Sequence, residues 1–146
     1  MPFKRLTFWC NISLSDVINK RNVTVEYDEC VHTISLQQKG VYYLFNGYYV
    51  TPEGYTIRFN VDWQGFEFNN GLFKEIPIAI SDLLASEPVK VTLPSGENVV
   101  LEYEIREGMK LDYIHIVIPD EGLPYQGTEA GDVTFFLKPY VSESCI

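Results

Sequence analysis

"TIRFNVDW", residues 56–63, decides the fold class. Ile57, Phe59, Val61 and Trp63 alternate with Thr56, Arg58, Asn60 and Asp62, and a strand sends successive side chains to opposite faces in this way. "NVTVEYDE" at 22–29 does the same, with Val23, Val25 and Tyr27 set against Thr24, Glu26 and Asp28. Working outward, the pattern recurs in Val89, Val91 and Leu93, in Leu101, Tyr103 and Ile105, in Ile114, Ile116 and Ile118, and in Val133, Phe135 and Leu137. One apolar and one polar face per strand is the pattern of half-buried antiparallel sheet.

Helix is almost absent, because no window of more than about two turns keeps a 3.6-residue period free of Gly, Pro or β-branched crowding. Two phrases stand apart, "NISLSDVIN" at 11–19 and "PIAISDLLA" at 77–85. Each predicts one or two turns of helix, with Ser13 or Ser15 capping the first and Ser81 the second, and with Asp16 and Asp82 in the positive first turn. The pairs Ser15-Asp16 and Ser81-Asp82 lie 66 positions apart, and Val23-Thr24-Val25 precedes Val89-Lys90-Val91 by the same interval. "HTISLQQKG" then sits under "VVLEYEIREG", and "GYTIRFNVDW" under "GDVTFFLKPY" at an interval of 77, Gly54 against Gly131. The drift implies an insertion of about ten residues in the second copy, at "PDEGLPYQGTEAG", where Gly and Pro cluster. Two β-units in tandem follow, a first domain at 1–64, a turn-rich linker at 65–72 and a second domain at 73–146. "VYYLFNGYYV" at 41–50 reads as two strands joined at Asn46-Gly47. Its five aromatics suit a core face backed by an adhesive patch for a protein or for sugar rings.

Composition bounds the function. The chain of 146 residues is 46% hydrophobic and 14% aromatic, with ten Tyr and nine Phe, which is the make-up of a folded β-protein. A formal charge of −9 repels phosphate backbones and anionic lipid, so neither nucleic acid nor membrane is an expected partner. No apolar run approaches the roughly 18 residues of a membrane span, and Asn11, Ser13 and Ser15 break the one stretch that follows Lys4-Arg5, so no signal peptide is read. Cys10, Cys30 and Cys145 form an odd set without CxxC spacing; reduced thiols and a cytoplasmic location are the expectation, and the two Asn-x-Ser/Thr matches at Asn11 and Asn22 carry no meaning there.

The second unit resembles the second C-terminal β-domain of the DnaJ family of J-domain co-chaperones. "EIPIAISDLLA", "VKVTLPSGENVVLEYEIREG", "DEGLP" and "GDVTFFLKP" stand in the family's order of entry strand, serine-started helix, hairpin, Gly-rich turn and closing Gly-Asp strand. "WCNISLSDVINKRNVTVEYDE" is similar to a shortened first C-terminal domain, and "WQGF" lies where the family joins the two. Lys20-Arg21 and Ser86-Glu87 replace the glycine usual after each helix. The sequence contains no His-Pro-Asp tripeptide, Gly/Phe-rich segment or CxxC repeat, and six residues follow Tyr140. Stimulation of a heat-shock ATPase and dimerisation through a C-terminal helix are therefore not expected.

The resemblance implies an all-β fold of two tandem small β-sandwich domains with two very short helices, and a hydrophobic slot on the first domain between the strand before its helix and the strand after it. Carried over by position, Phe8 and Cys10 line one side, Val23, Val25 and Tyr27 the other, and Phe59 the floor. The implied partners are extended hydrophobic polypeptide segments and a heat-shock chaperone system. The acidic chaperone tail fits poorly, since only Lys20 and Arg21 face Glu26, Asp28 and Glu29 near that slot.

An enzyme is not expected. His32 and His115, the two histidines, sit in strand-like runs where solvated or hydrogen-bonded roles are commonest. Cys30 and His32 share a strand face without a third orienting group. Glu102/Glu104 and Asp120/Glu121 are ordinary pairs for strand faces and turns. No metal or cofactor site is read. The sequence thus points to a peptide-binding holdase or assembly helper, and alternatively to a structural subunit that uses the sandwich as an interface.

Overall fold

The computed structural model describes residues 6–125 and 129–141. The fold is all-β, with three α-helices of five residues each among the described residues. Contacts divide the chain between Gly65 and Phe66 into two units. In the first, β1 (Thr7–Ser13), α1 (Leu14–Ile18), the hairpin β2 (Asn22–Tyr27) and β3 (Cys30–Ser35), α2 (Gly40–Leu44), β4 (Tyr48–Val50) and β5 (Thr56–Asp62) follow in order. β5 lies in the middle of a three-stranded sheet, β1-β5-β4. The hairpin turns on Asp28 and Glu29, at φ 49° and 60°, the left-handed pair that matches the twist of a two-residue loop.

The second unit repeats that order of elements. β6 (Glu67–Phe68) leads into β7 (Leu72–Ala79), α3 (Ile80–Leu84), the hairpin β8 (Val89–Thr92) and β9 (Asn98–Leu101), a 3-10 turn at Leu111–Tyr113, β10 (His115–Ile118), the short pair β11 (Pro124–Tyr125) and β12 (Glu129–Ala130), and β13 (Val133–Tyr140). Its sheet runs β10-β13-β7-β6. So β13 stands between β7 and β10 as β5 stands between β1 and β4. Ile78, Leu83, Ile114 and Leu137 form a buried cluster, with Ile76, Val89, Tyr103 and Ile116 against it.

Six sequence expectations change. The central pairings are parallel: β1 with β5 from Thr7↔Thr56, and β7 with β13 from Leu72↔Val133. Alternation reports faces, not direction, and the helix plus hairpin of each unit forms the crossover that a parallel return needs. The linker at 65–72 holds β6 and the first residue of β7. β9 ends at Leu101, so Tyr103 and Ile105 fill the core from outside a ladder, Ile105 N–H bonding Ser86 Oγ at 3.2 Å.

The interval between the last strands is 78, not 77. Trp9 is 66 before Glu75, and their partners Arg58 and Phe136 are 78 apart. A one-residue slip would put Ile57 against Thr134 and turn the buried face outward; with 78, Ile57 matches Phe135, both 0% exposed. The extra residues lie between β10 and β13, where 126–128 are outside the described residues, as is Cys145.

The first half of "VYYLFNGYYV" is helix, not strand. Asn46, at φ 66°, follows α2, and Gly47 N–H bonds the Tyr42 carbonyl at 2.9 Å. That is a Schellman ending, in which a left-handed residue turns the chain back over the last turn. α1 and α3 end alike on Lys20 (φ 53°) and Ser86 (φ 54°), through Arg21 N–H to Asp16 O at 2.9 Å and Glu87 N–H to Asp82 O at 3.0 Å. These are the positions where the resemblance expects glycine. Their starts differ. Ser13 caps α1 in a capping box with Asp16, whereas α3 begins on Ala79, and Ser81 lies inside the helix.

Candidate functional site

In the first unit the residues expected to line a slot are three buried and three half-buried side chains. Phe8 and Cys10 on β1 face the hairpin, where Val23, Val25 and Tyr27 sit on β2; Cys10 pairs in register with Phe59 of β5. Cys10, Val25 and Tyr27 are 2%, 5% and 4% exposed, and Phe8, Val23 and Phe59 are half-buried. The Phe8 ring stacks on Tyr27 at 5.1 Å, and Tyr27 stacks on His32 at 4.1 Å with the planes 10° apart. Tyr55 meets both Phe8 and Tyr27 edge-on at 5.5 Å. Phe59 stacks instead on Tyr43 of α2 at 4.4 Å.

Polar groups lock this stack. The Tyr27 hydroxyl donates to Glu53 Oε2 at 3.1 Å. Hydrogen bonds from its own backbone N–H and from Thr51, then Tyr27, hold the Glu53 carboxyl below its ordinary pKa. Burial, then the charge of Asp16, pushes the Cys10 thiol up, so it behaves as a small apolar core residue.

The repeat carries that position into the second unit. At an interval of 66, Phe8 becomes Lys74, Cys10 becomes Ile76, Val25 becomes Val91 and Tyr27 becomes Leu93. The cross-strand partners Val25↔His32 and Val91↔Val99 put Val99 in the place of His32. Three stacked rings are thereby replaced by Lys74, Leu93 and Val99. A groove of about 590 Å³ lies here, lined by Lys74 and Ile76 of β7 and by Lys90, Val91, Val99 and Val100 of the hairpin. At one end the Thr92 hydroxyl donates to Asn98 Oδ1 at 2.7 Å, and Thr92 and Asn98 complete the lining.

The strand bordering this groove has an open edge. β13 pairs with the whole of β7 on one side, but β6 covers only Leu72 and Phe73 on the other. From Lys74 to Ala79, no strand among the described residues pairs there. Lys74 Nζ lies 5.2 Å from the centroid of the Phe66 ring, which holds its stem along the groove wall. Val100 is 52% exposed and Val99 half-buried, whereas Val91 is core. The groove therefore sets the main chain of β7, which lacks an N–H at Pro77, against a hairpin wall that mixes Val91, Val99 and Val100 with Lys90, Thr92 and Asn98.

The residues expected from sequence to line a slot lie in the first unit, and the groove lies at the matching position of the second. None of Lys74, Ile76, Lys90, Val99 and Val100 was singled out, although the 66-residue interval contained the signal: large rings at three positions of one unit, smaller or flexible side chains in the other. Among the described residues, no group of three or more His, Cys, Asp and Glu could hold a metal ion, and His32 is engaged in stacking. No helix among them is long and apolar enough to cross a membrane. No protein-family model matches this chain, and no curated protein does.

Proposed function

We propose that this chain is a binding module for extended polypeptide, related to the C-terminal β-domains of DnaJ co-chaperones and acting without a J-domain as a holdase or assembly helper. The observation that supports the reading is the groove beside β7, where an edge that no strand among the described residues covers from Glu75 on borders Val91, Val99 and Val100. A peptide laid along β7 beside Ile76 adds a strand to the sheet, with Pro77 able to contribute only its carbonyl, and its side chains meet Ile76, Val99 and Val100. The volume suits it, since ligand sites run from about 300 to 1,000 Å³. Each main-chain hydrogen bond contributes about 0.5–1.5 kcal/mol net, so binding is tolerant of sequence, as a holdase requires. Cytoplasmic residence belongs to the same proposal.

The test is fluorescence anisotropy with a labelled, unstructured, apolar-rich peptide. Wild type should bind saturably. Lys74→Phe with Val99→His, which rebuilds two of the three rings that close the first unit, should abolish binding, and Val100→Lys should weaken it while altering only an exposed position. Absence of saturable binding by the wild type would overturn the reading, as would equal binding by both variants.

A second reading, an assembly subunit, draws on the outer face of the second sheet, where Val117 and Tyr140 are 46% and 50% exposed. Concentration-dependent sedimentation that Val117→Lys abolishes would favour it.

A further inference from the structure

We propose that the outer face of the first unit's sheet is a platform for a neutral oligosaccharide, with Trp9 and Tyr48 as stacking surfaces and Arg58 between them as donor. Register alone sets the three in a row: Trp9 of β1 is opposite Arg58 of β5, which is opposite Tyr48 of β4. Asn11↔Asn60 forms the row on one side and Thr7↔Thr56↔Val50 the row on the other. Buried side chains of the same strands, such as Cys10 and Ile57, point the opposite way. Trp9 is 57% exposed and Tyr48 46%, a costly way to display two large aromatic side chains.

Spacing and size select the ligand. Trp9 and Tyr48 are two strand spacings apart, roughly 10 Å, the separation of the first and third rings of an extended glycan chain. Pyranose C–H faces pack on aromatic faces, and the hydroxyls between them need donors and acceptors in the sheet's plane. Arg58 supplies donors: its guanidinium lies 5.6 Å from the Tyr48 ring centroid and forms no ion pair with a described residue. Asn60 Nδ2 donates to Asn11 Oδ1 at 3.3 Å, which leaves further hydrogen-bonding capacity on both amides. Beside Tyr48 and Arg58 a hollow of about 440 Å³ is lined also by Val50, Gly54 and Thr56.

A protein partner fits less well. The platform is two strand spacings wide and four residue rises long, on the order of 140 Å², against about 800 Å² per partner in a stable complex. Acidic glycans and nucleotides would also stack, but a chain of charge −9 repels polyanions as they approach. A neutral chain escapes that penalty.

Isothermal titration of the full chain with cellohexaose, chitohexaose and hexagalacturonate tests this. At least one neutral hexasaccharide should bind saturably. Trp9→Ala and Tyr48→Ala should each weaken it about tenfold, the size of one lost stacking contact, with the far-UV circular dichroism unchanged because both side chains are exposed. No saturable binding of either neutral chain would overturn the proposal. So would binding indifferent to both substitutions, a preference for hexagalacturonate, or a self-associated species that Trp9→Ala dissociates, which would make the face a protein interface.

Discussion

Replacing Ala79 by Ser should stabilise the second unit by about 1 kcal/mol. In the first unit Ser13 Oγ accepts the Asp16 N–H at 3.1 Å and Asp16 Oδ2 accepts the Ser13 N–H at 2.9 Å, so two donors at the start of α1 are satisfied reciprocally. Ala79 occupies the matching place in α3, with the extended backbone a cap requires (φ −62°, ψ 137°) and no side-chain hydrogen bond. Asp82 already stands three residues on. Only a hydroxyl is missing. A Ser cap exceeds Ala by about 0.5–2 kcal/mol, and Ala79 is half-buried like Ser13, which argues for the middle of that range. For a unit of this size the gain is about 4–8 °C in Tm.

The two tryptophans make the assay unit-specific. Trp9 and Trp63 are the only ones in the chain, and both precede Gly65, so tryptophan fluorescence reports the first unit directly. Ser13→Ala should move the urea midpoint read by fluorescence downward. Ala79→Ser should slow hydrogen exchange at the Asp82 and Leu83 amides and raise the second unit's unfolding free energy, and Asp82→Asn added to it should remove part of the gain. An Ala79→Ser chain with unchanged stability and unchanged exchange at Asp82 would refute the capping argument and the structural equivalence of α1 and α3.

Two further outcomes follow from the same helices. Lys20→Gly and Ser86→Gly should each stabilise by about 1 kcal/mol in urea unfolding, because a left-handed residue with a Cβ costs about 1–2 kcal/mol that glycine avoids. Acid should weaken the first unit through Asp16: burial tends to raise its carboxyl, but hydrogen bonds from the Ser13 backbone and hydroxyl and from Arg21, at 3.2 Å, outweigh it and hold the pKa low. A depressed carboxyl contributes stability that is full above the ordinary carboxylate value, about 3.9, and is lost as pH falls toward the folded value. The fluorescence-read midpoint should therefore drop below about pH 4 more steeply in wild type than in Asp16→Asn.

Face was legible in the sequence where side chains are half-buried, and direction was not. Ile57, Phe59 and Val61 alternate whichever way the neighbouring strand runs, because alternation is a property of one strand while parallel pairing belongs to two. The same locality misled at Asn46-Gly47. A left-handed Asn followed by Gly serves a two-residue hairpin and a Schellman helix end equally well, and only the packing of Tyr43 and Leu44 into the core, each 4% exposed, selects the helix. The repeat was legible because Ser15-Asp16 and Ser81-Asp82 both fall in the first turn of a helix, with the Asp three residues past the cap position. Its far end slipped by one residue because Gly54 and Gly131 aligned more visibly than the faces of β5 and β13.

The two units together separate frame from filling. Each sets a first strand against a hairpin and closes the sheet with a parallel return, so a slot between strand and hairpin follows from the connectivity whatever the side chains. Phe8, Tyr27 and His32 stack across it in one unit, and the groove at Lys74, Val91 and Val99 remains in the other. Closing a slot with three rings adds apolar burial at about 25 cal/mol per Å², so the open copy forgoes stability that the closed copy has. β6 could have compensated by running the length of β7, and it stops at Phe73. Apolar burial alone therefore favours neither Lys74 nor Val99 nor the short β6, and the peptide-binding proposal stands on whether the groove they leave takes up a strand.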